Sequence, residues 1–279
     1  MKELGKRVLT AAIGIPVALF LFIYGGHPFA VALLIIAGYG MHEFYNMAKT
    51  KGFNPIANIS IVLTMILGGY FYLAFTGSVS LPHESMFMLL PTLIGTVLLL
   101  AGLFKDKFSA IPDISISIGG MLYIALPLFS LIAIREFNEM IDTSMEMGYF
   151  VLSMFVAIWV CDSAAYFIGK AIGKNKLFPK HSPKKTWEGA IAGFIFGAVA
   201  FVGFNLWLNP SSSLLTSAVI GSVISIFCQV GDLIESHFKR DAGVKDSSNF
   251  FPGHGGFLDR FDGVIYVSPI VLAILIIMA

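Results

Sequence analysis

The sequence predicts an all-α, polytopic integral membrane protein with about nine transmembrane helices and a cytoplasmic N-terminus. Three observations carry that expectation. Of the 279 residues, 57% are hydrophobic and 13% charged, and mean hydropathy is +0.83; soluble domains carry about 25% charge. The apolar residues fall in continuous runs of roughly 20, the length that crosses a bilayer core as a helix, not in the alternating pattern of a membrane barrel. The net charge of +1 leaves no bulk basicity to attract nucleic acid, so no nucleic-acid partner is expected.

The expected spans are 8–24, 28–47, 56–75, 85–104, 112–134, 149–169, 189–208, 213–234 and 264–278. The first follows Lys2, Lys6 and Arg7 like a signal peptide, but no A-x-A site precedes Tyr24-Gly25-Gly26-His27, so it reads as an uncleaved helix. Gly, Pro and charged residues punctuate the joins at 25–28, 49–55, 105–112 and 209–213. In the second span, His42 and Glu43 lie near the cytoplasmic end and read as snorkelling side chains. Asp113, after Pro112, reads as a helix-start residue. Arg135, Glu136, Glu139, Asp142 and Glu146 read as a solvated outside loop. Gly189, Gly193 and Gly197 mark a close-packing helix face. Cys161 and Cys228 both fall in apolar runs and read as buried thiols, not as a disulfide framework. We divide the single domain, 1–279, into N-terminal helices (1–148, scaffold and lipid-facing) and C-terminal helices (149–279) that carry the site.

With the N-terminus inside and nine crossings, 17 of the 18 basic residues fall in cytoplasmic segments, and only Arg135 lies outside. This is the positive-inside bias, and it puts the C-terminus outside. It also places two polar segments, roughly 170–188 and 235–263, on the cytoplasmic side of the inner membrane.

Those segments hold the candidate chemistry. A nucleoside triphosphate site needs carboxylates to hold Mg²⁺, Lys and Arg to neutralise phosphate, and glycines that let backbone N–H groups turn towards an anion. Residues 228–263, CQVGDLIESHFKRDAGVKDSSNFFPGHGGFLDRFDG, contain all three. Asp259 and Asp262 are three apart, so one helical turn places both on one face. Asp232 closes an apolar span, where a charge at mid-bilayer costs about 2.5–3.5 kcal/mol and so tends to serve a purpose. By spacing alone, topogenic and solvated surface charges explain Lys239, Arg240, Asp241, Lys245 and Asp246 equally well. Asp162 lies inside an apolar span with Tyr166 and Lys170 following at i+4 and i+8.

The run Ser236-x-Phe238-Lys239-Arg240-x4-Lys245-Asp246-x-Ser248-x2-Phe251-Pro252-x-His254-Gly255-Gly256-Phe257-x-Asp259-Arg260-Phe261-Asp262 resembles the signature of the phosphatidate cytidylyltransferases (CDP-diacylglycerol synthases). Upstream, Ser182-Pro183-Lys184-Lys185-Thr186-x-Glu188-Gly189 resembles a second motif of that family. The resemblance implies transfer of CMP from CTP to phosphatidate in phospholipid biosynthesis, with Mg²⁺, and optionally a second cation, as cofactor. It also implies a homodimer. It points to Asp232, Asp259, Lys239, Arg240 and Asp246 as catalytic residues, with Asp232, Asp259 and Asp262 on the metal. Ser182, Lys184, Lys185, Thr186, Ser236, Lys245, His254, Gly255, Gly256 and Arg260 are the expected substrate contacts. A phosphate nucleophile is already ionised at pH 7, so His254 is expected to bind and not to act as a base. We expect a polar cavity at the cytoplasmic interface, open sideways between helices. Two alternatives remain at this point: a CTP-dependent lipid kinase, and an ion-coupled transporter using Asp162 and Asp232.

Overall fold

The computed structural model describes residues 2–79, 84–140, 145–180, 182–251 and 255–279. Its helices are α1 (Lys2–Tyr24), α2 (Gly26–Thr50), α3 (Ala57–Phe75), α4 (Glu84–Leu103), α5 (Ala110–Gly120), α6 (Leu126–Arg135), α7 (Phe137–Met140), α8 (Met147–Ile172), α9 (Trp187–Leu208), α10 (Leu214–Asp241) and α11 (Leu258–Met278). A π turn, Met121–Ala125, joins α5 to α6, so 110–135 forms one apolar rod, as the fifth expected span requires. Among the described residues, seven rods are long and apolar enough to cross a bilayer; α1 and α4 contribute shorter apolar stretches, Ala12–Tyr24 and Leu90–Leu103. This is a multi-pass helical membrane protein. The departure from all-α is a hairpin, β1 (Lys176–Phe178) paired antiparallel with β2 (Ser182–Thr186).

Several expected spans stop short of the helices that contain them, and two of these differences bear on the candidate site. The eighth runs on from 234 to Asp241 because the sequence stays amphipathic there. Glu235 and Lys239 pair at i,i+4, and Lys239 and Arg240 in the last turn suit the negative end of the helix dipole. The last helix begins at Leu258, with Asp259 in its first turn, not at 264. These extensions carry most of the site.

Small residues set the helix spacing. The stripe on α9 packs as expected: a Cβ at Gly189 would lie 2.6 Å from the Ala165 carbonyl oxygen, and at Gly193 3.0 Å from that of Cys161. A Cβ at Gly197 would lie 2.5 Å from Ser225 Oγ. α10 and α11 run antiparallel and cross where Gly231 faces Asp262 and Gly263 faces Cys228. Cys161 and Cys228 are buried free thiols.

The loop around 135–146 differs from its expected solvated state. Arg135 Nε donates to the Phe22 carbonyl (2.8 Å) and Nη2 to that of Ile23 (2.8 Å), while Glu136, buried, accepts from Gly26 N–H (3.0 Å). The carbonyls at the end of α1 and the free amide at the start of α2 need partners, and this pair supplies them. Glu146 is exposed; Asp142 and the Glu139 side chain lie outside the described residues. Asp113 does cap its helix, accepting from Ser109 N–H (2.7 Å), and it also accepts from Asn54 N–H (2.7 Å).

Candidate active site

The helical extension of α10 places Asp232, Glu235, Ser236 and Lys239 at i, i+3, i+4 and i+7, on one face. Gly231 brings that face against α11: a Cβ there would stand 2.5 Å from the Asp262 carbonyl oxygen. Asp232, Glu235 and Asp262 thus converge, each offering one carboxylate oxygen within 4.8 Å of the others. Lys185 of β2 pairs with Asp232 Oδ2 at 2.6 Å, and Ser236 Oγ donates to Asp232 Oδ1 at 3.3 Å. Glu235 is 1% exposed, and its Oε1 has no hydrogen-bond partner among the described residues. Three close carboxylates with an unpartnered buried oxygen are a costly arrangement without further positive charge. Oxygen donors of this kind fit a hard divalent cation.

Asp259 and Asp262 lie three apart on α11, as their spacing suggested. Both line the same cavity, but the two carboxylates take different partners. Asp259 Oδ2 accepts from Ser247 N–H (2.9 Å), Ser247 Oγ (2.8 Å) and Gly256 N–H (2.8 Å). Its Oδ1 accepts from Lys239 Nζ (2.5 Å), which also reaches Glu235 Oε2 (2.5 Å). Lys239 is therefore a buried bridge between two acids; losing one partner of such a buried pair costs about 3–5 kcal/mol. Gly255, at φ +78°, leaves no room for a Cβ beside the Asp259 carboxylate.

Glu43 is the residue that the sequence reading undervalued. It does not snorkel; it is 4% exposed and holds the loop between α10 and α11. Oε1 accepts from Ser248 Oγ (2.6 Å) and Phe257 N–H (3.0 Å), and Oε2 from Ser247 Oγ (2.9 Å) and Leu258 N–H (2.9 Å). Two of these donors are orphan amides at the start of α11, where a negative charge is favoured. The N-terminal helices, expected to be scaffold, thus help build the site. An acid within an apolar span was the signal for Glu43; the i+3 spacing from Asp232 was the signal for Glu235.

Other expected site residues are less central. Thr186, expected to touch substrate, is buried and caps α9, with Oγ1 accepting from Gly189 N–H (3.2 Å). Glu188 accepts from Asn175 N–H (3.1 Å) and Nδ2 (2.9 Å), bracing the hairpin. Arg240 is exposed and donates to the Val244 carbonyl (3.0 Å). Lys184, Lys245, Asp246 and His42 are exposed, and Ser182 is half-buried. His254 lies outside the described residues.

A cavity of about 420 Å³ opens beside the cluster. Asp162, Asp259, Arg260 and Asp262 are the charged residues that line it, with apolar side chains of α1, α2, α8, α11 and the segment before α11.

A sequence profile of the cytidylyltransferase family matches residues 5–278. The phosphatidate cytidylyltransferase of Bacillus subtilis is 32% identical over 271 residues, covering 96% of each chain. That of Synechocystis is 32% identical over 289 residues, covering 95% of this chain and 94% of the relative. That of Staphylococcus haemolyticus is 33% identical over 276 residues, covering 97% and 98%. Near-complete coverage at these identities makes the likeness one of the whole fold and not of a shared loop, and the chain belongs to the cytidylyltransferase family.

Proposed function

We propose that this protein transfers CMP from CTP to phosphatidate, giving CDP-diacylglycerol and pyrophosphate, at the cytoplasmic face of the inner membrane. The observation that carries the reading is the carboxylate cluster of Asp232, Glu235 and Asp262, with its unpartnered Glu235 oxygen, whose member Asp262 also lines a largely apolar cavity. An anionic lipid and an anionic nucleotide both need such a junction. The names of the three relatives and the gathering of basic residues on one side of the predicted topology support it.

Asp232, Glu235 and Asp262 would hold the divalent cation, which we assign as Mg²⁺. Bound there, it supplies charge neutralisation to the triphosphate. Asp259 Oδ1 joins the ligand set only where Lys239 gives way, since Lys239 is its one partner among the described residues. Otherwise Asp259 organises the loop that presents Gly255 and Gly256.

A lipid phosphate oxygen attacks the α-phosphorus of CTP, the bond to the β-phosphate oxygen breaks, and pyrophosphate leaves. The chain's own residues supply alignment and charge. Lys185 is held over the cluster by Asp232 and meets triphosphate oxygens. Arg260, which makes no side-chain hydrogen bond or ion pair among the described residues, takes the lipid phosphate. Exposed Lys184, Arg240 and Lys245 draw the nucleotide to the rim, a role that salt screens.

The test is purified, folded protein with phosphatidate, Mg²⁺ and CTP labelled either in the CMP moiety or at the γ-phosphate. CMP label in CDP-diacylglycerol is expected. Label from the γ-phosphate in lipid would mean a kinase, and no CTP-dependent product at all would remove the enzymatic reading in favour of transport.

A further inference from the structure

We infer that Tyr123 is a positioning residue for the carboxylate cluster, its hydroxyl holding Glu235 in the orientation that receives the cation. This rests on Asp232, Glu235 and Asp262 being the cation site.

Tyr123 stands in the middle of the π turn Met121–Ala125, a local widening of a helix that recurs at functional sites. Its ring packs against Phe238 of α10 (centroids 5.1 Å apart), Phe44 of α2 (5.9 Å) and Tyr266 of α11 (5.9 Å). Phe238 lies three residues on from Glu235, and Tyr266 four on from Asp262. Each therefore shares a helix face with an acid of the cluster. The ring is wedged beside the carboxylates from a third helical rod, one that the sequence reading treated as scaffold.

Packing does not explain the hydroxyl. A phenylalanine would make the same ring contacts, and Phe44 and Phe238 beside it are phenylalanines. Tyr123 Oη is buried and makes no hydrogen bond among the described residues, a state that costs free energy and calls for a reason. Tyr45 shows the ordinary solution: its hydroxyl donates to the Ser117 carbonyl at 2.6 Å. The acids whose charge reaches the Tyr123 hydroxyl are Glu235 and Asp262. Glu235 carries the complementary gap, since Lys239 takes its Oε2 and Oε1 has no partner among the described residues. One group has a proton to give and the other a lone pair to receive it. A hydrogen bond from Oη to Oε1, direct or through one bridging water, satisfies both.

The outer partner of a metal ligand fixes the direction in which that ligand presents its oxygen. Lys239 holds Glu235 from one side, and Tyr123 would hold it from the other. A carboxylate oxygen has two lone pairs, so Oε1 can accept from Tyr123 and still face a cation.

Tyr123→Phe keeps the ring and removes only the hydroxyl. Mn²⁺ binding to purified, nucleotide-free protein is followed by electron paramagnetic resonance. The dissociation constant should rise about tenfold, with the thermal midpoint of the metal-free protein little changed; a purely structural hydroxyl would give the reverse pattern. In a Glu235→Gln background the same substitution should change Mn²⁺ affinity less than twofold, because the route through Glu235 is already cut. Mn²⁺ affinity within twofold of wild type in Tyr123→Phe overturns the role, as does a full additive loss in the Glu235→Gln background. Fluorotyrosine in place of Tyr123 keeps both hydroxyl and packing. Its fluorine resonance should shift when Mg²⁺ is added, and a resonance that Mg²⁺ leaves unmoved overturns the role even where Tyr123→Phe does not fold. Wild-type protein that binds no Mn²⁺ overturns the cation site together with this role, whereas wild-type binding that Tyr123→Phe leaves intact overturns this role alone.

Discussion

Replacing Glu43 by Gln keeps the volume and removes the charge. In the native protein the carboxylate receives four hydrogen bonds, two from serine hydroxyls and two from the amides of Phe257 and Leu258. The amide side chain retains one acceptor oxygen. Its NH₂ can be met by one serine hydroxyl turning to accept, but the second backbone amide then faces a donor. Leaving a buried donor unsatisfied costs about 1–3 kcal/mol, and losing a negative charge at the start of α11 adds about 0.3–1 kcal/mol. The sum, about 1.3–4 kcal/mol, falls on the loop from 247 to 258 and not on the whole bundle. At 1.4 kcal/mol per factor of ten, amides of residues 255–261 should exchange hydrogen about 8- to 700-fold faster in bilayer-embedded Glu43→Gln protein. Peptides from α8 and α9 should keep their protection. CDP-diacylglycerol synthesis should fall at least tenfold, since the same loop holds Asp259. Exchange within threefold of wild type across 255–261 would refute the role given to Glu43.

Four further outcomes follow from the same geometry. Glu235→Gln should raise the Mg²⁺ concentration for half-maximal activity at least tenfold, and Mn²⁺ binding followed by electron paramagnetic resonance should weaken in parallel. Lys185→Ala, which strips Asp232 of its 2.6 Å partner, should raise KM for CTP by about an order of magnitude, with Lys185→Arg recovering most of it; an unchanged KM removes Lys185 from nucleotide binding. Thr186→Ala should cost about 1 kcal/mol of stability as a lost helix cap, seen as a lower thermal midpoint, while Thr186→Ser keeps near-wild-type turnover. Gly231→Ala should push α10 from α11, costing about 1–3 kcal/mol as overpacking, and should weaken Mn²⁺ binding because Asp262 moves with the helix.

The sequence by itself determined what depends on neighbours along the chain. Runs of about 20 apolar residues define membrane helices whatever their packing, and the spacing of Lys239, Asp259, Arg260 and Asp262 is a local pattern that carries its own meaning. The close-packing stripe at Gly189, Gly193 and Gly197 and the helix-start position of Asp113 were readable for the same reason. Only the tertiary structure decided which groups meet. Glu43 and Ser247 are 204 positions apart, so nothing local separates a snorkelling acid from the anchor of the loop between α10 and α11. Glu235 counts as a ligand candidate because α10 continues past the apolar run and Gly231 admits α11 beside it. Thr186 became a cap and Lys185 a partner of Asp232 because a two-stranded hairpin turned one inward to the helix start and the other over the cluster. Charge counts assign residues to a side of the membrane; a buried carboxylate's partners are set by which helices cross beside it, and that depends on packing across the whole chain.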